Sequence, residues 1–206
     1  MNKFAHFFRR PWHDKLNSVH AALVALKTVL YYRRIFKNVG SGCHIYKPLL
    51  ISNPRFVSIG SNTSIRQGAR IELIVLDKLR PPSIVIGNNV NIEQNVHIIC
   101  SSKIVIGNNV SITGHCCIVD TVHPFRDVDD PRKIGERISP EPTPVEIGDN
   151  TFIGFGTVIL PNVRIGKNCI VGANSTVTRD VQDFCVIGGS PASILMRYDS
   201  ETKMWI

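Results

Sequence analysis

The chain is poor in several things that proteins of its size commonly carry. Aromatic residues fill only 7% of its 206 positions, which excludes a core built on large rings. Six cysteines occur, but none has C-x-x-C spacing, so neither a disulfide framework nor a paired-thiol metal site is expected. No apolar stretch at the N-terminus precedes a small-residue cleavage site, so no secretory leader is expected. The longest apolar runs fall short of a membrane span. Acidic residues are outnumbered: 24 Lys and Arg against 16 Asp and Glu give a formal net charge of +8. That surplus points to anionic partners (phosphates, acidic glycans or a membrane surface), with a merely solubilising basic surface as the plain alternative.

What is present in place of these is a period. Ile147, Ile153, Ile159, Ile165, Val171 and Val177 return every six residues, and Gly follows at 148, 154, 166 and 172. Six fits neither an amphipathic helix nor an alternating strand and calls for a repeat architecture. The aliphatic residue points into a narrow core, and a small residue four positions on (Thr151, Thr157, Cys169, Ser175) points in with it. Asn150, Asn162, Asn168 and Asn174 stand three positions after the aliphatic residue, where Asn tolerates the positive φ of a corner. Three such units make one eighteen-residue coil of a three-sided prism, and stacked coils form three parallel sheets. Coils open at Val39, Ile59, Ile86, Ile106, Ile147 and Ile165, with a last partial turn from Ile187. Gly42, Asn62, Asn89, Asn109, Asn150 and Asn168 hold the corner. Cys43, Cys116 and Cys169 take the small inward position, and Cys100, Cys117 and Cys185 read as small core hydrophobes of a reducing compartment.

Three parts follow along the chain. Residues 1–38 hold an aromatic and basic start (Phe4, Phe7, Phe8, Arg9, Arg10) and a helix over about 14–37, on which Leu16, Val19, Leu23, Leu26 and Leu30 keep helical spacing. That helix is read as a cap on the open end of the prism, with a membrane-surface helix as the rival. Residues 39–190 form the prism, interrupted by the long insertion 119–145. Residues 191–206 form an extension, read as a short helix carrying Arg197. The insertion carries six acidic residues and five prolines, and a rigid solenoid tends to place function on such loops.

The coils, the stretch Asp120-Thr121-Val122-His123-Pro124-Phe125 inside the insertion, and the closing Gly188-Gly189-Ser190-Pro191-Ala192 resemble the hexapeptide-repeat acyltransferases. The likeness is nearest in kind to the galactoside, maltose, nodulation-factor and polysaccharide O-acetyltransferases. It implies an all-β, left-handed parallel β-helix, homotrimeric and cytoplasmic, with acetyl-CoA between neighbouring subunits. It also implies His123 as general base, taking the proton of an acceptor hydroxyl as that oxygen attacks the thioester. Ser102 and Asp120 fall near that histidine, and Glu93 and Asn95 match the acceptor-holding segment, although the sugar acetyltransferases carry Asn where Glu93 stands. Gly154, Gly156 and Ala173 match the stretch along the pantetheine arm, Thr178 and Arg179 the stretch at the nucleotide phosphates, and Arg197 lies one position from the family's Arg. Nothing in the sequence selects what orients His123: Asp120, Asp127, Asp129, Asp130, Glu141 or a backbone carbonyl would each serve. The expected reaction is O-acetylation of a sugar in cell-surface polysaccharide or lipopolysaccharide synthesis. The expected place is the cytoplasm, where the basic N-terminal helix would suit the inner face of the membrane, and nucleic acid is not an expected partner. The alternatives are an N-acetyltransferase on an amino sugar, a non-catalytic solenoid, and a zinc hydratase using His97, His115 and His123.

Overall fold

The computed structural model describes residues 11–206. The aromatic and basic run within residues 1–10 lies outside the described residues. Each coil gives one short strand to each of three sheets of six, nine and six strands. On the first face the residues read as coil starts stand directly over one another. Val39 pairs with Ile59, Ile59 with Ile86, Ile86 with Ile106, Ile106 with Ile147, and Ile147 with Ile165, all in parallel. These side chains are buried and join one continuous core down the prism axis. Ile187 departs from this column. It pairs with Val171 on the second face, and Val181 takes the place over Ile165, so the last turn begins at Val181.

The corners explain the asparagines. Asn62, Asn89, Asn109, Asn150 and Asn168 have φ between 54° and 58°, and Gly42 takes the same corner at 70°. Their amides form a ladder, Asn89 donating to Asn109 at 2.9 Å and Asn109 to Asn150 at 3.0 Å. A second column of left-handed residues, Gly68, Asn95, His115, Gly156 and Asn174, turns the next corner. The inward small residues are polar for a reason. Thr151 Oγ1 donates to the Gly166 carbonyl at 3.0 Å and Thr157 Oγ1 to the Gly172 carbonyl at 3.1 Å, so each hydroxyl satisfies a carbonyl of the adjoining coil. All six cysteines are free, and all but Cys117 are buried. Burial, with the Asp120 carboxylate beside it, pushes the Cys100 thiol up; burial does the same for Cys116, Cys117 and Cys169.

At the N-terminal end the helix α1 (Trp12–Lys27) runs on through a wider π turn, Thr28–Tyr32, to Arg33–Ile35. Val24, Thr28, Tyr32 and Phe36 are buried against the first coil. Thr28 Oγ1 accepts from the Ile45 N–H at 3.0 Å, which satisfies a donor on the open edge of that coil. The C-terminal extension differs from the helix expected. Ala192–Asp199 is a strand, antiparallel to Cys185–Gly189, with Met204–Trp205 beyond it. The physical cause is local: a two-residue turn at Ser190 and Pro191 lays the next residues along an open sheet edge, whose ladder bonds outweigh helix propensity.

Candidate active site

The long insertion leaves the third face after Cys117–Val119 and returns at Val145–Ile147. Its two feet are tied together at Asp120, which is fully buried. The Asp120 carboxylate accepts from the Ser102 N–H at 2.9 Å, the Ser102 hydroxyl at 3.0 Å and the Cys100 thiol at 3.3 Å. Thr143 Oγ1 donates to the Asp120 carbonyl, and the Ser139 N–H donates to the Val122 carbonyl at 2.9 Å. His123 follows on this base, exposed, with Nδ1 2.9 Å from the Arg137 carbonyl oxygen. A carbonyl oxygen only accepts, so Nδ1 carries a proton, and the tautomer this selects for a neutral ring has its lone pair at Nε2. In that tautomer Nε2 can accept a proton.

Arg137 holds the rest of the loop in place. Its side chain is buried. Its guanidinium donates to the carbonyls of Asp127 at 2.7 Å, Asp130 at 2.6 Å and Arg132 at 2.7 Å. Asp130 Oδ2 lies 3.5 Å from Arg137 Nε and accepts from Arg132 at 2.7 Å. Hydrogen bonds from the Arg132 side chain and backbone, joined by the positive charges of Arg132 and Arg137, hold the Asp130 carboxyl well below the usual range. One residue thus closes the insertion with its side chain and orients His123 with its backbone. Sequence reasoning had no signal for it, since Arg137 reads there as one more basic loop residue.

The other candidates fall in different places. Asp120 does not reach the surface, because its carboxylate is occupied by Ser102 and Cys100 beneath it. Ser102 is half-buried and lines a groove with Lys103, Arg80, Pro81 and Pro142, between the long insertion and the loop that joins strands Arg70–Leu73 and Ser83–Ile86. Glu93 pairs with Arg66 at 3.8 Å. Asn95 stands at the second corner with φ 56°, its amide 3.3 Å from His115 Nε2. In one chain these two corner residues and His123 occupy opposite ends of the third face. The four-residue strand His97–Cys100 separates them, roughly 13 Å at ~3.3 Å per residue.

The glycines of the fifth coil are less free than expected. The Gly154 N–H donates to the Val171 carbonyl at 2.8 Å and the Gly156 N–H to the Gly114 carbonyl at 3.1 Å, so both donors belong to the ladder. A Cβ on Gly154 would meet the Ala173 nitrogen at 2.5 Å, which makes close coil packing its first role. Ala173 itself is at a corner, on the following coil and exposed. Thr178 and Arg179 are exposed after the last third-face strand, where Arg179 lines a groove with Val177, Ala192 and Ile194. Arg197 lies on the C-terminal strand with its guanidinium on Gln182 at 2.7 Å. Among the described residues no three His, Cys, Asp or Glu side chains gather as a metal site requires, so the geometry lends the zinc reading no support.

Comparison with known proteins is consistent with this architecture. Residues 144–179 match the family described as bacterial transferase hexapeptide (six repeats). The chain is 31% identical over 186 residues to the Escherichia coli (strain K12) protein described as "Putative lipopolysaccharide biosynthesis O-acetyl transferase WbbJ", covering 87% of this chain and 90% of that one. It is 35% identical over 171 residues to the galactoside O-acetyltransferase of the same organism, covering 83% and 68%. The fold is shared with a crystal structure of AntD, an N-acyltransferase from Bacillus cereus in complex with dTDP and 3-hydroxybutyryl-CoA. That match has a TM-score of 0.64 at 19% identity, over 83% of this chain and 88% of that one.

Proposed function

The chain belongs to the hexapeptide-repeat acyltransferases, left-handed parallel β-helix enzymes, and from that premise we propose that it transfers an acetyl group from acetyl-CoA to a sugar hydroxyl. The observation that carries this reading is the pairing of His123 Nδ1 with the Arg137 carbonyl, which selects the neutral tautomer whose lone pair is at Nε2 on an exposed residue. In the reaction Nε2 takes the proton of the acceptor hydroxyl while the oxygen attacks the thioester carbonyl carbon. The tetrahedral intermediate then collapses, the carbon–sulfur bond breaks, and the thiolate leaves with the proton returned by the imidazolium. A backbone N–H at a coil edge is the simplest donor for the transient oxyanion. The exposed Arg179 beside Thr178 supplies a cation for the nucleotide phosphates, a match of charge that suits acetyl-CoA as donor.

The active unit is proposed to be a homotrimer, with the donor between neighbouring subunits. Glu93 and Asn95 of one subunit then complete a site with His123 of another, which accounts for their separation within one chain. The acceptor is proposed to belong to cell-surface polysaccharide or lipopolysaccharide synthesis, a reading supported by the description "Putative lipopolysaccharide biosynthesis O-acetyl transferase" of the Escherichia coli relative. The reaction is proposed to take place in the cytoplasm at the inner face of the membrane. His123→Ala is expected to lower release of free CoA with hydroxyl acceptors by roughly 10²–10⁴-fold while leaving the melting temperature and oligomer size unchanged. Turnover near that of the unaltered protein would remove the general-base assignment. Preference for amino-sugar acceptors over hydroxyl acceptors in the same assay would redirect it to N-acetylation.

A further inference from the structure

One side of α1 is left bare. Trp12, Leu16, Val19, Leu23, Leu26 and Leu30 recur at alternating steps of four and three residues, which sets them along one flank of a helix. The opposite flank, Val24, Thr28 and Tyr32, is packed on the first coil, so the helix cannot rotate to hide the stripe. Each of the six is exposed, Trp12 by 73% and Leu23 by 59%. An apolar surface this continuous marks a place of contact.

Charge indicates what covers it. From Trp12 to Lys37 the only carboxylate is Asp14, against Lys15, Lys27, Arg33, Arg34 and Lys37. His13, His20, Lys27 and Arg34 fall seven residues apart, along one border of the stripe. The spacing alone would permit a zipper with a second copy of the helix. Such a copy brings no acid to meet Lys27 and Arg34, because Asp14 is the only one on that helix and already lies 3.4 Å from His13. An anionic lipid surface offers apolar chains for the leucines, phosphates for the cations and an interface suited to Trp12 and Tyr31. No helix among the described residues is long and apolar enough to cross a membrane.

We propose that α1 lies in the plane of an anionic leaflet with its leucine stripe inserted, holding the prism on the lipid surface. The helix packs on the first coil, whereas the insertion leaves the fourth, so this docking stands or falls separately from the role of His123. The test is sedimentation of the full chain, without acetyl-CoA, with vesicles of phosphatidylcholine alone or mixed with phosphatidylglycerol. The unaltered protein is expected to pellet with the mixed vesicles, and to do so less at high salt. The double variants Leu23→Glu/Leu26→Glu and Lys27→Glu/Arg34→Glu are each expected to lose binding by about tenfold or more, with circular dichroism unchanged. The proposal is overturned if the unaltered protein stays in the supernatant or binds neutral vesicles equally well. A smaller oligomer for Leu23→Glu/Leu26→Glu in analytical ultracentrifugation would also overturn it, by showing that a second copy covers the stripe.

Discussion

The oxygen facing His123 Nδ1 belongs to a peptide group, which cannot change its charge or offer a proton. A carboxylate in that place would strengthen the base but add a negative charge beside an incoming thioester; a carbonyl fixes the tautomer alone. The position of that carbonyl depends on the Arg137 guanidinium and the three carbonyls it gathers. Arg137→Lys, with a single ammonium on a flexible stem, is expected to lower kcat on the order of 10²-fold with the donor KM nearly unchanged. Nitrogen NMR of labelled histidine should show His123 passing from Nδ1–H alone to a mixture of tautomers; an unaltered tautomer with lowered kcat would make Arg137 a folding residue only. Asp130 adds a pH signature. Its carboxyl is held below the ordinary range, so its contribution is complete above about pH 3.9, the unfolded value, and is lost as the pH falls through the lower folded value. The loop is therefore expected to resist proteolysis after Arg132 and Lys133 throughout neutral and mildly acid pH. Asp130→Asn should open it at pH 7, and equal resistance of the variant would rule the ion pair out as the clasp. His123 was legible because an Asp-x-x-His-Pro run marked it. Its partner was not, since several carboxylates of the insertion lie near it in sequence and only the folded loop excludes them. Asp120, which sequence spacing puts beside the histidine, turns inward because the Ser102 N–H and hydroxyl lie beneath it.

At the scale of a coil, sequence and structure agree closely because a single constraint governs every turn. Each wall of the prism buries an aliphatic residue at the repeated position, with a glycine where coils touch and a left-handed residue at the corner. A Cβ on Gly148 would lie 2.6 Å from the Gly166 carbonyl carbon, whereas one on Gly135 would meet nothing within 4 Å. Gly148→Ala is thus expected to destabilise by about 1–3 kcal/mol, a fall of several degrees in Tm, and Gly135→Ala to stay within ~0.5 kcal/mol. Equal melting of the two would contradict close stacking as the reason for the glycine. The repeat stops being informative where it ends. Ile187 keeps the Ile-Gly signature yet sits on the second face over Val171. Ala192–Asp199 became a strand because an open sheet edge lay within reach of a tight turn, a tertiary fact that periodicity does not record. The same limit applies to α1, whose buried side follows from the Ile45 N–H that the first coil leaves for Thr28 to meet.

For the molecule as a whole, a three-walled spool carries its proposed chemistry on one protruding loop, with Thr178 and Arg179 at the same edge of the third face two coils on, and Glu93 and Asn95 at the opposite end of that face. Glu93 and Asn95 do not reach His123 within one chain, and the proposed homotrimer is what would bring them to it. The catalysis proposed for His123 therefore requires the thioester to sit beside its ring at a subunit boundary. The most direct measurement is a crystal structure of the assembled protein with acetyl-CoA or a non-hydrolysable analogue. The donor carbonyl is expected beside His123 Nε2, within reach of one acceptor oxygen at about 3 Å, with contacts from two subunits and the phosphates near Arg179. A donor bound within one chain, with His123 Nε2 facing open solvent, would contradict general-base catalysis at a shared site.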